Sequence, residues 1–330
     1  MRNIDCMSFS LKLVNASRVC PISGSTNAVL VSPKDRHGKP LRNIMCRESG
    51  LIYVDPVPFE NTEEFYQTEY RKSYKGVHRP KPKHVYRAGR IALERYSMLS
   101  ELLPPSANCL DAGSSSGEFV YLLQSRSHNA QGVEANIPYA EYSRSQLEIP
   151  VSILPFSEFK TEEKFDLVTM FHVLEHLENP VRDLSCLGEF LKPGGKLVIE
   201  VPNILYPNMA FSHKWHPGHL FSFSDKTLSL LLGQAGFRTI SCSPVGDGGN
   251  LWGVFEKSVG LEESSLPSCE NNRADEILKT LEKQRFQYYC NVTNLVKFFG
   301  KIPSMISEQM NTKGFSGKEI LDRLYKDLSC

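Results

Sequence analysis

One glycine-rich stretch constrains the fold of this chain more than any other. A short apolar run ends at Asp111-Ala112, the turn Gly113-Ser-Ser-Ser-Gly117 follows, and a run with helical character begins at Glu118. Glycine allows positive φ and lets a backbone approach a ligand closely, and the first turn of a helix offers free N–H groups to electron-rich atoms. A strand, a glycine turn and a helix in this order predict a binding site for a nucleotide-like cofactor.

Size and composition limit the class of protein. The 330 residues, 41% of them hydrophobic, suffice for a full core and a smaller module. Lys and Arg number 38 and Asp and Glu 37, so the balanced charge disfavours a nucleic-acid partner. No apolar run has membrane-spanning length, and the first residues do not form a secretory signal. The nine cysteines have no disulfide-framework spacing, so we expect reduced thiols and a cytoplasmic protein.

Strand and helix patterns alternate between residues 107 and 257. Apolar strand-like runs separated by helical patterns are typical of an α/β fold, with a mostly parallel sheet covered on both faces. Residues 1–60 are predicted to form short strands, and residues 61–106 to form helices that carry a basic lid. Helical spacing returns after a polar linker in residues 258–330. We therefore expect a small β-rich module, a helical lid, an α/β domain and a helical appendage.

Two details narrow the cofactor. The next predicted strand ends in Gly132-Val-Glu134, and a carboxylate there can accept both ribose hydroxyls of an adenosine-containing cofactor. The turn also lacks the third glycine of dinucleotide sites, since Phe119 stands two residues after Gly117. An adenosine cofactor without phosphates is favoured over a nicotinamide dinucleotide, which remains the alternative.

Ordered motifs downstream of the turn carry a resemblance to a known family. They are Leu174-Glu-His-Leu177, Leu191-Lys-Pro-Gly-Gly195, Pro202-Asn203, His219-Leu-Phe-Ser222 and Ala235-Gly-Phe237. The series resembles the class I S-adenosylmethionine-dependent methyltransferases, in the ubiquinone-methyltransferase-like subgroup, over about residues 107–257. The resemblance implies a Rossmann-like sheet of seven strands, mostly parallel with one antiparallel strand, and S-adenosyl-L-methionine as the methyl donor.

The resemblance also implies roles for single residues. Asp111, Gly113 and Gly117 would cradle the methionine part of the cofactor, and Glu134 would hold its ribose. The other matching positions are Ser114 and Ser115 in the turn, Ala135 and Phe156 beside the adenosine, and Phe171 and His172 beside the sulfonium.

Histidines are the candidates for activating an acceptor hydroxyl, which needs a base or a metal ion to remove its proton. His172, Glu175 and His176 follow the fourth predicted strand of the α/β domain, and His219 follows the fifth. Both groups should therefore lie at the carboxyl edge of the sheet. As the base we expect His176, then His219 and His172. The alternatives are a divalent ion held by these four residues and a purely structural, helix-capping role of Glu175 and His176. The ion site would resemble that of small-RNA 2′-O-methyltransferases and some quinone O-methyltransferases, with His172 in place of a Glu.

Two turns in the β-rich module look alike. Cys20-Pro-Ile-Ser-Gly24 and Cys46-Arg-Glu-Ser-Gly50 have a Ser where a zinc knuckle has its second Cys. The module resembles the zinc-ribbon-like N-terminal domain of some bacterial methyltransferases. Two thiolates and two hydroxyls are a poor ligand set for zinc, so we expect a degenerate module without metal. Retained zinc, with His37 recruited as a ligand, is the alternative.

The sequence constrains the identity of the methyl acceptor less than that of the methyl donor. An acid-free basic run between Arg71 and Arg90 is interpreted as a solvated lid or as a surface that attracts an acidic substrate. We expect methyl transfer to a hydroxyl of a sugar or other small metabolite, and the basic run would suit one linked to phosphate or a nucleotide. The alternatives are a protein side chain, an RNA end, a deoxysugar carbon, and a silent scaffold. The candidates for acceptor binding are Tyr70, Tyr74, Tyr206, Trp215 and His216.

The C-terminal helices contain no motif that indicates chemistry. Ala274 to Tyr289 have helical apolar spacing, and Pro303 and Gly314 divide the remainder. We expect these helices to dock on the core or on the second subunit of a homo-oligomer.

Overall fold

A computed structural model describes residues 12–59, 79–258, 272–290, 308 and 310–326. The helix predicted over residues 60–70, Tyr70, Tyr74 and the first half of the basic run lie outside the described residues. Within the described part of the chain, no helix combines the length and hydropathy needed to cross a membrane.

The described strands fall into two sheets. In chain order they are β1 (Leu13–Asn15), β2 (Asn27–Lys34), β3 (Pro40–Cys46), β4 (Ile52–Val54), β5 (Asn108–Ala112), β6 (Asn129–Val133), β7 (Val151–Ser152), β8 (Phe165–Phe171), β9 (Leu191–Pro202), β10 (Phe221–Ser222), β11 (Phe237–Val245) and β12 (Asn250–Lys257).

The larger sheet has seven strands in the order β11-β12-β9-β8-β5-β6-β7. The strands from β9 to β7 are parallel, and β12 is antiparallel to both of its neighbours. The predicted seven-stranded sheet with one antiparallel strand near its end is therefore confirmed. Its central strands are buried along almost their whole length because helices cover both faces, which explains their continuous apolar runs.

A proline marks the start of the first described helix. Pro82 stands in its first turn, where the N–H that proline lacks is not needed. The described helices are α1 (Pro82–Leu99), α2 (Glu118–Ser125), α3 (Ile137–Gln146), α4 (Pro180–Gly188), α5 (Asp225–Gln234), α6 (Arg273–Cys290) and α7 (Gly317–Lys326).

The smaller sheet has the order β1-β2-β3-β4-β10 and is not built from the N-terminal segment alone. Its last strand, β10, comes from the loop after β9 and pairs antiparallel with β4, with Phe221 opposite Tyr53. Neither β3 nor β10 was predicted. One hydrophobic cluster contains Ile44 and Tyr53 of this sheet together with Leu110 of the larger one. The β-rich module and the α/β domain therefore share a core.

Both C-terminal helices bury apolar side chains within the chain. Ile277 and Leu281 of α6 pack against the smaller sheet. Leu321 of α7 packs on α1 so closely that a Cβ on Gly89 would lie 2.6 Å from its Cδ2. The expected docking on the core is observed, and it fixes α1 beside the carboxyl edge of the larger sheet.

Candidate functional site

A cavity of about 1070 Å³ lies at the carboxyl edge of the seven-stranded sheet. Its walls come from the glycine turn after β5, the ends of β6 and β8, helix α1, and the loop that joins β9 to β10. Loops at this edge of parallel strands are where α/β folds bind ligands. The glycine turn, Glu134 and the two histidine segments thus converge on this cavity.

The glycine turn adopts a conformation that other residues would disfavour. Gly113 and Gly117 have φ angles of +83° and +84°. A Cβ on Gly113 would lie 2.3 Å from Cγ2 of Val173, and one on Gly117 would lie 2.4 Å from Cδ1 of Ile149. The backbone N–H of Gly113 donates to the carbonyl of Val133 at 2.7 Å, so the turn folds back over the end of β6. Glycine is required here for both backbone conformation and space.

Two carboxylates flank this turn. Asp111 is 4% exposed, and its Oδ1 accepts a hydrogen bond from the Thr169 hydroxyl at 2.7 Å. Burial raises the pKa of Asp111 to about 6, against the opposing effect of the Thr169 hydrogen bond. Glu134 is held by the backbone, since its two oxygens accept from the N–H groups of Ser115 at 2.7 Å and Asn136 at 2.8 Å. The Glu134 carboxylate is thereby fixed between the turn and the start of α3.

The predicted cofactor residues largely share this cavity. Gly117 is the exception, because it packs against Ile149 and Ser143 at the start of α2 rather than facing the cavity. Those that line the cavity are Asp111, Gly113, Ser114, Ser115, Glu134, Ala135, Phe156, Phe171 and His172.

An aromatic and charged wall was missed by the sequence analysis. Phe171 stacks on Trp252 with ring centroids 5.6 Å apart, and the guanidinium of Arg95 lies 4.1 Å from the Phe171 centroid. Arg95 also donates from Nε to Oε2 of Glu200 at 2.7 Å. The available signal was Glu200 itself, a lone charge inside the apolar run of β9.

His172 is held between two carboxylates. Its Nδ1 lies 3.4 Å from Oε1 of Glu175, and its Nε2 lies 3.4 Å from Oε1 of Glu200. Burial lowers the pKa of His172, but hydrogen bonding to the two carboxylates outweighs it and raises the pKa to about 9. Burial raises the pKa of Glu200, but His172 and Arg95 outweigh it and lower this pKa to about 2. At neutral pH, His172 is thus a cation with both nitrogens engaged, which disfavours it as a base.

The other histidines form a compact cluster. The centroid of His219 lies 4.9 Å from that of His176 and 4.2 Å from that of His216. Burial lowers the pKa of His216 to about 3 and, together with the neighbouring imidazoles, lowers the pKa of His219 well below its usual value. Glu175 lies beside them and is 1% exposed. The expected meeting of the two sequence segments is therefore observed, in a pocket that keeps His216 and His219 neutral.

Two predicted acceptor-binding residues lie elsewhere. Trp215 is 2% exposed and packs in a hydrophobic cluster with Val29 and Met45 of the smaller sheet, rather than lining the cavity. Tyr206 donates its hydroxyl to Asp247 at 2.5 Å and is also absent from the cavity wall. The loop is polar in composition, but the smaller sheet covers it, so its aromatic residues become core. Among the predicted acceptor residues within the described chain, His216 alone lines the cavity.

One cavity residue comes from the β-rich module. Arg36, in the turn between β2 and β3, lines the cavity, and its backbone N–H donates to the carbonyl of Trp215 at 2.8 Å. No local signal in residues 1–60 points to this contact, because it depends on the docking of the two sheets.

Comparisons with known proteins bear on the α/β domain. A family model described as a methyltransferase domain matches residues 84–242. A search of curated proteins found no match. The matched range contains the glycine turn, Glu134 and the histidine cluster.

Solved structures similar to this chain include three methyltransferases. The CcbJ methyltransferase from Streptomyces caelestis is 13% identical, with a TM-score of 0.45 over 60% of this chain and 99% of that one. The 1,6-didemethyltoxoflavin-N1-methyltransferase of Burkholderia thailandensis is 19% identical, with a TM-score of 0.45 over 66% and 96%. The glycopeptide N-methyltransferase MtfA is 15% identical, with a TM-score of 0.42 over 51% and 90%.

Proposed function

We propose that this protein, in which residues 84–242 form a class I S-adenosylmethionine-dependent methyltransferase domain, transfers the methyl group to a hydroxyl of a small metabolite. The protein is a methyltransferase that uses S-adenosyl-L-methionine. One observation carries the acceptor part of the proposal: a single cavity contains the glycine turn and Glu134 as well as an imidazole cluster. Such a concave site suits a small acceptor, and the motif series supports the proposal that the protein belongs to the ubiquinone-methyltransferase-like subgroup.

The donor half of the cavity is assigned from the turn outward. Asp111, Gly113 and the two following serines hold the methionine part, with the Asp111 carboxylate paired to the ammonium group. Glu134 accepts the ribose hydroxyls with the lone pairs that its two backbone hydrogen bonds leave free. Ala135 and Phe156 border the adenine, and Phe171 and His172 lie near the sulfonium. Gly117 acts indirectly on the cofactor site, because its backbone conformation sets where α2 begins.

The transfer is an in-line displacement. The acceptor oxygen forms a bond to the methyl carbon while the carbon–sulfur bond breaks, and the sulfonium leaves as a neutral thioether. The protein must hold the oxygen about 3 Å from that carbon, opposite the sulfur. The hydroxyl proton leaves at the cluster of Glu175, His176 and His219, while His216 and Arg36 contact the rest of the acceptor. The cation at Arg36 favours an acceptor with an anionic group, such as a phosphate-linked sugar.

We also propose that residues 1–60 are a degenerate zinc-ribbon-like module. Sγ of Cys20 lies 3.2 Å from Oγ of Ser49, and Oγ of Ser23 lies 3.3 Å from Sγ of Cys46. This meeting of the two knuckle-like turns supports the proposal, because a zinc ribbon brings two such turns together around its four ligands. Hydrogen bonds between hydroxyl and thiol groups take the place of an ion, and β4 connects the module to the acceptor loop.

Calorimetry with S-adenosyl-L-methionine tests the donor site. Glu134→Ala removes a charged acceptor of hydrogen bonds, at a cost of about 1.5–3 kcal/mol, so the dissociation constant should rise roughly 10- to 150-fold. Glu141→Ala, an exposed carboxylate on α3, is the matched control and should bind like the wild type. Unchanged affinity in Glu134→Ala would show that the ribose lies elsewhere, and no binding to the wild type would refute the proposed function.

Mass spectrometry identifies the methyl acceptor. Purified protein is incubated with labelled S-adenosyl-L-methionine and small-molecule extracts, and products are screened for the gain of one methyl group. A product methylated on oxygen supports the proposal. Label found only in protein or RNA contradicts the small-molecule acceptor.

A further inference from the structure

We propose that Lys214 and Arg36 form an oxyanion-binding subsite in the acceptor half of the cavity, and that the methyl acceptor is a phosphate monoester whose phosphate binds there. The acceptor half is the part of the cavity lined by the loop between β9 and β10. The subsite itself is argued from the burial and contacts of the two side chains. Only the assignment of the phosphate to the methyl acceptor rests on the proposed function.

Lys214 is a buried cation to which the described residues offer no carboxylate partner. It is 7% exposed and lines the cavity. Its Nζ donates to the carbonyl oxygens of Ile204 and Tyr206, at 2.7 Å each. Burial lowers the pKa of Lys214 to about 8, and no nearby acid opposes this effect. Because a desolvated charge is costly unless it is paired, this ammonium gains from an anionic ligand.

Holding the loop does not by itself require a charge at Lys214. The carbonyl between its two acceptors, that of Leu205, accepts from the neutral amide Nε2 of Gln284 at 2.5 Å. A neutral donor thus serves the same stretch of backbone from helix α6. An ammonium also has three N–H groups, and the two carbonyls use only two of them. The third N–H and the charge are what a ligand can use.

The docking of the smaller sheet brings Arg36 next to this lysine. The backbone N–H of Arg36 donates at 2.8 Å to the carbonyl of Trp215, the residue that follows Lys214. Arg36 also lines the cavity. Burial and, after it, the charge of Arg36 lower the pKa of His216 to about 3, so the guanidinium acts on the cavity imidazoles. Two cations from separate sheets therefore adjoin the same part of the cavity wall.

Other charged groups of this region are engaged or exposed. Arg95 forms an ion pair with Glu200, with Nε and Oε2 2.7 Å apart. Arg182 also lines the cavity but is exposed, so water screens its charge. Asp35, beside Arg36 in the chain, accepts backbone N–H groups of its own turn at 2.8 and 2.9 Å. Lys214 and Arg36 are therefore the cations that we assign to the subsite.

The charge of the pair selects the class of anion. A phosphate monoester carries nearly two negative charges at neutral pH, whereas a carboxylate or a phosphodiester carries one. Lysine binds phosphate as a point charge, and the guanidinium fork of arginine matches two phosphate oxygens. One phosphate monoester thus balances both cations, while a carboxylate would leave one of them unbalanced.

A titration followed by ³¹P NMR tests the subsite, with inorganic phosphate as the probe. The full-length protein is titrated with and without S-adenosylhomocysteine, and chloride keeps the ionic strength constant. We expect one phosphate per chain in both cases, displaced by sulfate and far less well by acetate. Lys214→Met and Arg36→Gln should each weaken phosphate binding roughly tenfold or more. Lys39→Gln removes an exposed cation of the same turn that does not line the cavity, and this matched control should bind like the wild type.

Several results would overturn the subsite: no phosphate binding, wild-type binding by Lys214→Met or Arg36→Gln, or equal displacement by acetate and sulfate. Phosphate that is expelled by S-adenosylhomocysteine would lie in the donor half, which would also refute the inference. Retained S-adenosyl-L-methionine binding shows that a variant is folded, and Arg36→Gln decides the matter if Lys214→Met does not fold. A wild type that binds phosphate but not S-adenosyl-L-methionine would refute the proposed function and leave the subsite standing.

The chemical class of the acceptor is tested on the methylated product. Small molecules that receive the labelled methyl group should bind to an anion-exchange resin and lose this retention after treatment with a phosphomonoesterase. Labelled products whose retention the phosphomonoesterase does not change would refute the phosphate monoester as acceptor.

Discussion

Two buried carboxylates at the sheet edge differ in what stabilises their charge. Glu134 accepts two backbone N–H groups, whereas Asp111 accepts a hydroxyl and is buried, and burial raises the pKa of Asp111 to about 6. Asp111 is therefore the carboxylate that gains most from a bound cation. The ammonium group of S-adenosyl-L-methionine would supply one, at the expense of stability in the cofactor-free protein.

Asp111→Asn tests this balance through pH. The pKa of Asp111 is raised from 3.8 to about 6 in the folded protein, so its stabilising contribution is present at low pH and is lost as the pH rises through about 6. A shift of about two units corresponds to roughly 3 kcal/mol, about half of which falls between pH 5 and pH 8. Urea denaturation of the cofactor-free protein measures this effect. The free energy of unfolding of Asp111→Asn minus that of the wild type should be about 1.5 kcal/mol larger at pH 8 than at pH 5. A difference independent of pH would contradict the shift.

Glycine substitutions separate backbone strain from crowding. Gly117 and Gly194 have similar φ angles of +84° and +77°, but a Cβ on Gly194 would meet no atom within 4 Å. Gly194→Ala should cost about 1–2 kcal/mol from the left-handed backbone alone. Gly117→Ala should cost about 1–3 kcal/mol more, because its Cβ meets Ile149. Chemical denaturation of both variants checks the difference, and equal losses would mean that the turn can relax.

At the scale of elements, the two-residue strand β10 has an effect out of proportion to its length. It belongs to the loop after β9 but completes the smaller sheet through its pairing with β4. This pairing fixes the loop that carries His216 and His219, so the β-rich module helps to position part of the cavity wall.

Restoring two cysteines tests the origin of that module. Ser23→Cys combined with Ser49→Cys places four thiols at positions that already lie within hydrogen-bonding distance in pairs. This double variant should bind one Zn²⁺ through four thiolates and gain thermal stability on metal addition. The signal is the appearance of Co²⁺ thiolate bands, which report thiolate ligands. Each single variant is a control, and absence of these bands in the double variant would argue against a zinc-ribbon-like arrangement.

At the scale of the whole molecule, the two sheets are joined by a common core. Ile44 of the smaller sheet and Leu110 of the larger one belong to a single hydrophobic cluster, and both are 0% exposed. Helix α6 covers the smaller sheet, while α7 covers α1. We therefore expect the module and the α/β domain to unfold together.

The fluorescence of the two tryptophans reports separately on the unfolding of the two sheets. Trp215 packs against the smaller sheet and Trp252 lies in the larger one. In Trp252→Phe and Trp215→Phe, the remaining fluorescence and the far-UV circular dichroism should give coincident transitions in each variant. Ile44→Ala should lower the free energy of unfolding by about 2–5 kcal/mol, whether fluorescence or circular dichroism is used to measure it. A Trp215 signal that changes before the circular dichroism would reveal independent unfolding of the module.

The sequence alone determined the features that depend on local patterns. Alternating apolar runs predicted a mostly parallel sheet covered by helices, because a strand buried on both faces must be apolar throughout. The number of seven strands and the one antiparallel strand were implied by the resemblance to a family. The glycine turn, Asp111 and Glu134 were identifiable because positive φ and close backbone approach require glycine at fixed positions next to a strand end. The meeting of the His176 and His219 segments followed from the common edge of parallel strands.

Only the tertiary structure decided which side chains face the cavity. Trp215 is core because a second sheet covers its loop, and Arg36 reaches the cavity because that sheet docks there. Arg95 and Glu200 meet across 105 positions of the chain, and their contact engages His172 as a cation rather than leaving it as a base. These outcomes depend on long-range packing and on desolvation, which no local pattern of residues encodes.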